Sequence, residues 1–79
     1  MFKWVVVDVV PNSDFTLLIT FANGHKKIFD CKTLFNDPYA EPLKNLDFFL
    51  QAKADHNTVM WSEDFDISPE FLYEHSKKI

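Results

Sequence analysis

A single glycine, a single cysteine and no apolar run longer than four residues mark this sequence by what it lacks. Disordered chains are rich in glycine, proline and charge and poor in aromatics, whereas here nine of 79 residues are phenylalanine and 47% are apolar. The chain therefore reads as one small folded domain over residues 1–79 and not as a linker or tail. Its longest apolar stretches, such as Trp4 to Val7, fall far short of the ~20 residues that a membrane-spanning helix needs, so no membrane partner is expected. Asp8 interrupts the one stretch near the amino terminus that could imitate a signal-peptide core, and no small-residue cleavage site follows it. A cytoplasmic location is expected.

The lone Cys31 has no intramolecular disulfide partner, which agrees with a reducing compartment. It sits in an apolar-alternating stretch with no histidine near it in sequence, so a buried structural thiol is expected and not a nucleophile. The lone Gly24 excludes glycine-rich phosphate loops. Positive charge is also scarce: twelve acidic against eight basic side chains leave a net charge of -4, which repels a phosphate backbone, so no direct nucleic-acid partner is expected. The acid is clustered at Glu63, Asp64, Asp66, Glu70 and Glu74. Carboxylates there suit the dipole of a solvated helix entrance, and the alternative is an acidic patch for a basic partner.

What is present points to hairpins. Lys3 to Val10 is valine-rich and fits a pleated sheet, and Pro11-Asn12-Ser13-Asp14 ends it with turn formers. Phe15 to Ala22 alternates Phe15, Leu17, Ile19 and Phe21 on one face with Thr16, Leu18, Thr20 and Ala22 on the other. Asn23-Gly24 then signals a hairpin, and His25 to Cys31 returns as the third strand. Two registers are open. A two-residue turn pairs Ile19 with Ile28, and a three-residue turn with Gly24 as a bulge pairs Leu17 with Phe29 and Leu18 with Ile28. The bulge is preferred, because it keeps Phe15, Leu17, Phe29 and Cys31 on one face.

From Lys32 to Pro42 the signals are a loop with helical turns. Leu43, Leu46, Phe49 and Leu50 recur at helical spacing, which predicts a short helix from Pro42 to about Leu50 with proline in its first turn. His56-Asn57 before Thr58-Val59-Met60-Trp61 suggests a second hairpin. Ser68-Pro69-Glu70 supplies a cap, a first-turn proline and a first-turn carboxylate for a last helix ending near Lys77. The expected fold class is α+β, a small antiparallel sheet of hairpins with one or two short helices in the order β-β-β-α-β-β-α.

Phe21-Ala22-Asn23-Gly24, Phe29-Asp30, Val59-Met60-Trp61, then Asp66-Ile67-Ser68-Pro69-Glu70 and Leu72-Tyr73 occur in an order that resembles the family called domain of unknown function 2442, a set of small bacterial proteins. The resemblance runs from about Lys3 to Tyr73. It implies a small α+β fold and brings no established activity and no agreed catalytic residues. Some relatives carry a helix-turn-helix segment for DNA, and none is found in these 79 residues. Family genes often lie beside that of another small uncharacterised protein, which implies a toxin–antitoxin-like pairing by association alone.

For chemistry, His25, His56 and His75 are scattered and only Cys31 could join them, so no metal site and no cofactor are expected. Ser13, Ser62, Ser68 and Ser76 lie in turn or helix-end contexts without a nucleophile elbow. Asp64 and Asp66 form a carboxylate pair separated by Phe65, the only arrangement an enzyme could use; with no further ligand or acid–base partner, no catalytic residue and no enzymatic activity are expected. Trp61, Asp66 and Tyr73 admit two readings: a shallow ligand cleft, or core anchors with Asp66 holding a turn.

Two functions follow. The first is a non-catalytic protein-interaction module, a homodimer or the partner of another small protein, using a sheet edge or phenylalanines near Phe48 together with the acidic segment. A chain this small buries only about 60% of its unfolded surface, which gives self-association something to add. Phe2, Phe35, Phe48 and Phe65 have no packing partner assigned, which is the sequence's main reason to expect an interface. The second is a small-ligand domain with a cleft near Trp61 and Tyr73. One substitution tests the hairpin: Gly24→Val is expected to misregister the second and third strands, and chemical denaturation showing unchanged stability would reject the assignment.

Overall fold

The computed structural model describes residues 4–79. Lys3, expected to open the first strand, and Phe2 lie outside the described residues. Seven strands and two short α-helices follow in chain order: β1 (Val6–Pro11), β2 (Thr16–Phe21), β3 (Lys26–Asp30), α1 (Leu46–Phe49), β4 (Lys53–Asp55), β5 (Thr58–Ser62), β6 (Phe65–Ile67), α2 (Pro69–His75) and β7 (Lys77–Lys78). The α+β class and the β-β-β-α-β-β-α order are those expected from sequence, with β6 and β7 added. The hairpins form two antiparallel sheets, ordered β1-β2-β3-β7 and β4-β5-β6.

Pairing of β2 with β3 sets Leu17 opposite Phe29, Leu18 opposite Ile28 and Thr20 opposite Lys26, the bulged register. The Phe21 amide donates to the His25 carbonyl and the Gly24 amide to the Phe21 carbonyl, both at 2.9 Å, with Gly24 at φ +89°. A Cβ there would meet nothing within 4 Å, so only the backbone conformation resists substitution, at a cost of about 1–2 kcal/mol for an L-residue. The β4–β5 hairpin turns through His56 (φ 50°) and Asn57 (φ 66°), the double positive φ of a type I′ turn, with Asp55 opposite Thr58. The Asn57 carbonyl accepts the Val6 amide at 3.0 Å and so ties this turn to the start of β1.

The turn between β1 and β2 repeats the three-residue design with an unusual occupant. Phe15 takes the left-handed position at φ 65°, where a bulky side chain is strained. Local bonds hold the loop: the Asn12 amide donates to the Thr16 carbonyl, the Phe15 amide to the Asn12 carbonyl, and the Thr16 amide and hydroxyl to the Asp14 carboxylate. The Thr16 hydroxyl bond is the main cause that holds the Asp14 carboxyl below its ordinary pKa. Its stabilising effect is therefore present above the ordinary carboxylate range and is lost as pH falls through the lowered value. Packing offsets the strain, because the Phe15 ring lies 5.3 Å from that of Phe35 and 5.2 Å from that of Phe49.

Two helical expectations are corrected. The stretch from Pro42 to Leu50 is not one helix. A 3-10 turn, Pro38–Lys44, contains Pro42, which has no amide to continue an α-helical ladder. Asn45 is then extended, at φ -83° and ψ 115°, and its side chain caps α1 by accepting the Phe48 amide. The last helix ends at His75, two residues early, because Ser76 is extended (φ -89°, ψ 157°) and Lys77 and Lys78 pair with Ile28 and Lys27 as β7. Ser68 holds the cap position of α2 without a side-chain bond to it.

One apolar core lies between the two sheets. Leu17, Ile19, Phe21 and Phe29 from the first sheet, Val59, Trp61, Phe65 and Ile67 from the second, and Leu43, Phe49 and Leu72 from the helical segments are all buried. Fully burying one such side chain contributes about 1.5–3 kcal/mol. At position 15, glycine should outperform alanine. Phe15→Ala loses the ring contacts and keeps the strained φ, whereas Phe15→Gly loses the contacts but relieves the strain. Equilibrium denaturation is expected to rank wild type above Phe15→Gly, and Phe15→Gly above Phe15→Ala by about 1 kcal/mol; the reverse order of the two variants would contradict the strain.

Candidate functional site

The five candidate site residues do not converge. Trp61 is buried on β5, where its Nε1 donates to the Phe49 carbonyl at 2.9 Å and its ring meets Phe65 edge-on at 5.6 Å. That is a core anchor. Asp64 is exposed in the turn between β5 and β6, and Asp66 is exposed on β6 with buried Phe65 and Ile67 on either side. Asp66 is therefore a strand residue and not a turn holder. Phe48 is half-buried and packs edge-on against Phe65 at 5.8 Å. Phe35 and Phe65 also have ring partners, so three of the four phenylalanines without an assigned contact belong to the core and give no exposed patch. The fourth, Phe2, lies outside the described residues.

Tyr73 lies on α2, away from Trp61, in a polar cluster at the β2–β3 turn. Its ring packs edge-on against Phe21 at 4.9 Å and stacks on His25 at 6.3 Å. Its hydroxyl bonds His25 Nδ1 at 3.1 Å and accepts from Asn23 Nδ2 at 3.3 Å. Lys27 Nζ sits 3.8 Å from the ring centroid and donates to the Tyr73 carbonyl, a cation–π contact that fixes α2 on β3. These contacts make Tyr73 a docking point of the last helix.

Two grooves open elsewhere. One, of about 400 Å³, is lined by Leu34, Asp37, Tyr39, Asp66, Ile67, Ser68 and Phe71. The other, of about 320 Å³, is lined by Ile28, Asp30, Thr33, His75 and Lys77. Of the candidate residues Asp66 alone lines either, and neither groove includes Trp61 or Tyr73. Tyr39 itself is 56% exposed, its ring stacked on Phe65 at 5.0 Å and its hydroxyl donating to the Asp66 carbonyl at 2.8 Å.

The outward face of the first sheet is the feature that sequence reasoning passed over. Register places Val10, Leu18 and Ile28 side by side across β1, β2 and β3, on the face opposite the core. Val10 is 45% exposed, and Leu18 and Ile28 are half-buried. Asp8, Thr20 and Lys26 form the neighbouring row. The signal was present in the alternation of β2, where Leu18 is the apolar residue between Thr16 and Thr20.

Among the described residues no group of three or more His, Cys, Asp and Glu side chains is placed to hold a metal ion, and no helix is long and apolar enough to cross a membrane. Cys31 is fully buried, and burial pushes its thiol up to about 12. The molecule so described is a small α+β domain whose two antiparallel sheets share one core. It belongs to the family described as Protein of unknown function (DUF2442), whose model matches residues 6–78. Searches of curated proteins and of solved structures returned no match.

The thiol gives a direct check on this geometry. Cys31 should resist a thiol reagent at neutral pH in the folded protein and react fully in denaturant. Its pKa rises from the ordinary 9.0 to about 12 on folding, so the folded state holds the proton more tightly. The stability that wild type gains over Cys31→Ala is therefore expected to be whole below pH ~9 and to fall as pH rises towards ~12. Denaturation curves of the two proteins across that range measure it, and a constant difference would contradict the burial.

Proposed function

We propose that this chain is a non-catalytic protein-interaction module of the cell interior, binding another protein through the outward face of its first sheet. The observation that carries this reading is the row of Val10, Leu18 and Ile28. A one-sided antiparallel sheet usually turns polar residues to water, and here three adjacent strands each present an aliphatic side chain. The acidic residues Glu63, Asp64 and Asp66 lie on the other sheet and are not needed for it. A toxin–antitoxin-like pairing with a second small protein fits the same surface.

The groove beside Tyr39 supports a small-ligand function less well. It is open, and the Asp37 carboxylate within it already accepts the Tyr39 amide as the cap of the 3-10 turn.

A photo-crosslinking residue at position 18, in protein returned to its source cells, tests the reading. A covalent adduct with a protein, whether this chain or another, is expected from position 18 and not from exposed Glu63. Absence of any protein adduct from position 18 in the folded protein would sink it.

A further inference from the structure

The outward sheet face carries, besides its apolar row, three charges without partners: Asp8, Lys26 and, beside Ile28 at the β7 edge, Lys77. The side chains of Asp8 on β1 and Lys26 on β3 make no hydrogen bond or ion pair among the described residues, although both residues stand opposite Thr20 in one row across the sheet. Two strand spacings of ~4.8 Å keep them apart within the chain. The third row ends at Asp30, whose carboxylate accepts the Lys32 amide.

We propose that the protein seated on this face is a second copy of the chain, related by a two-fold axis that runs along β2. This rests on the interaction-module reading and names its partner. Rotation about that axis exchanges β1 with β3 and leaves each row at its own height. Asp8 of each copy then faces Lys26 of the other, twice. Val10 faces Ile28, and the two Leu18 side chains meet on the axis. Over β1, β2 and β3 the face is thus its own complement in shape of row and in sign of charge, the condition for an isologous interface, with Lys77 beyond the overlap. Strands of the two sheets run nearly parallel, as aligned face-to-face packing requires.

Area sets the strength. The three strands that overlap, β1 to β3, about 4.8 Å apart and some six residues long, offer about 300 Å² per copy, or about 600 Å² in total, well below the ~1,200 Å² of stable complexes. The dimer is therefore weak and concentration-dependent, and its rim pairs Asp8–Lys26 fix orientation more than affinity.

Sedimentation equilibrium at low salt over a concentration series up to about 1 mM reads the association. The wild type is expected to rise from monomer towards dimer mass. Leu18→Glu places two carboxylates on the axis and should abolish dimerisation, with an unchanged far-UV spectrum showing that the fold survives. Asp8→Lys and Lys26→Asp alter only exposed positions, so they test the interface even if the Leu18 variant does not fold. Each should weaken the dimer on the order of tenfold, and the double reversal should restore it to within about threefold. Wild type that stays monomeric throughout overturns the proposal, as does a double reversal no better than the single ones. If the dimer fails while position 18 still crosslinks to a different protein, the module reading stands and the self-partner alone falls.

Discussion

Phe49 is fully buried in a helix of only four residues, and the rest of the molecule is arranged around it. Its ring lies 5.2 Å from Phe15, at the first turn of the four-stranded sheet, and 6.3 Å from Trp61, in the middle of the three-stranded one. Its carbonyl accepts the Trp61 indole N–H at 2.9 Å. One residue thus supplies apolar contact to both sheets and satisfies the one polar atom that a buried tryptophan brings with it. Neither sheet could bury its inner face alone. With so little chain available, the short helical segment acts as the filling between them.

Local signals made the hairpins legible in the sequence. Asn23-Gly24 sets its own turn, and the alternation of Leu17, Ile19 and Phe21 leaves one register that buries them together. The second hairpin was legible from His56-Asn57 although glycine is absent, since asparagine tolerates positive φ. Long-range arrangements were not legible. Phe35, Phe48 and Phe65 have no local signal of their packing because each meets a ring distant in sequence: Phe35 meets Phe15, Phe48 meets Phe65, and Phe65 meets Tyr39. The helical period over Leu43, Leu46, Phe49 and Leu50 was real, but Pro42 and the Asn45 cap divide it between a 3-10 turn and a single α-turn. The tail follows the same rule: two lysines suit a helix end, yet the open edge of β3 offers hydrogen bonds that the helix cannot.

The candidate site was less legible than the fold. Trp61 and Tyr73 are aromatics with polar tips, and both tips are engaged inside the molecule. Side-chain chemistry does not distinguish a binding tip from a structural one. Strand register does, because it assigns each residue to the core or to water, and it singles out Leu18 between two threonines. All eight cations are lysine, flexible point charges that pair less rigidly than arginine would. An interface built from them selects by sign and row position more than by fixed fork geometry.

The Phe15 turn has a consequence for how the molecule comes apart. At Gly24 the backbone conformation is natural to the residue, so the turn itself needs no core contact to hold its local shape. At Phe15 the left-handed backbone is held by rings contributed from Phe35 and Phe49. Once those rings withdraw, nothing at position 15 favours the turn. Opening of the core and loss of the first turn are therefore a single cooperative event, whereas the Gly24 turn has no such strain to release.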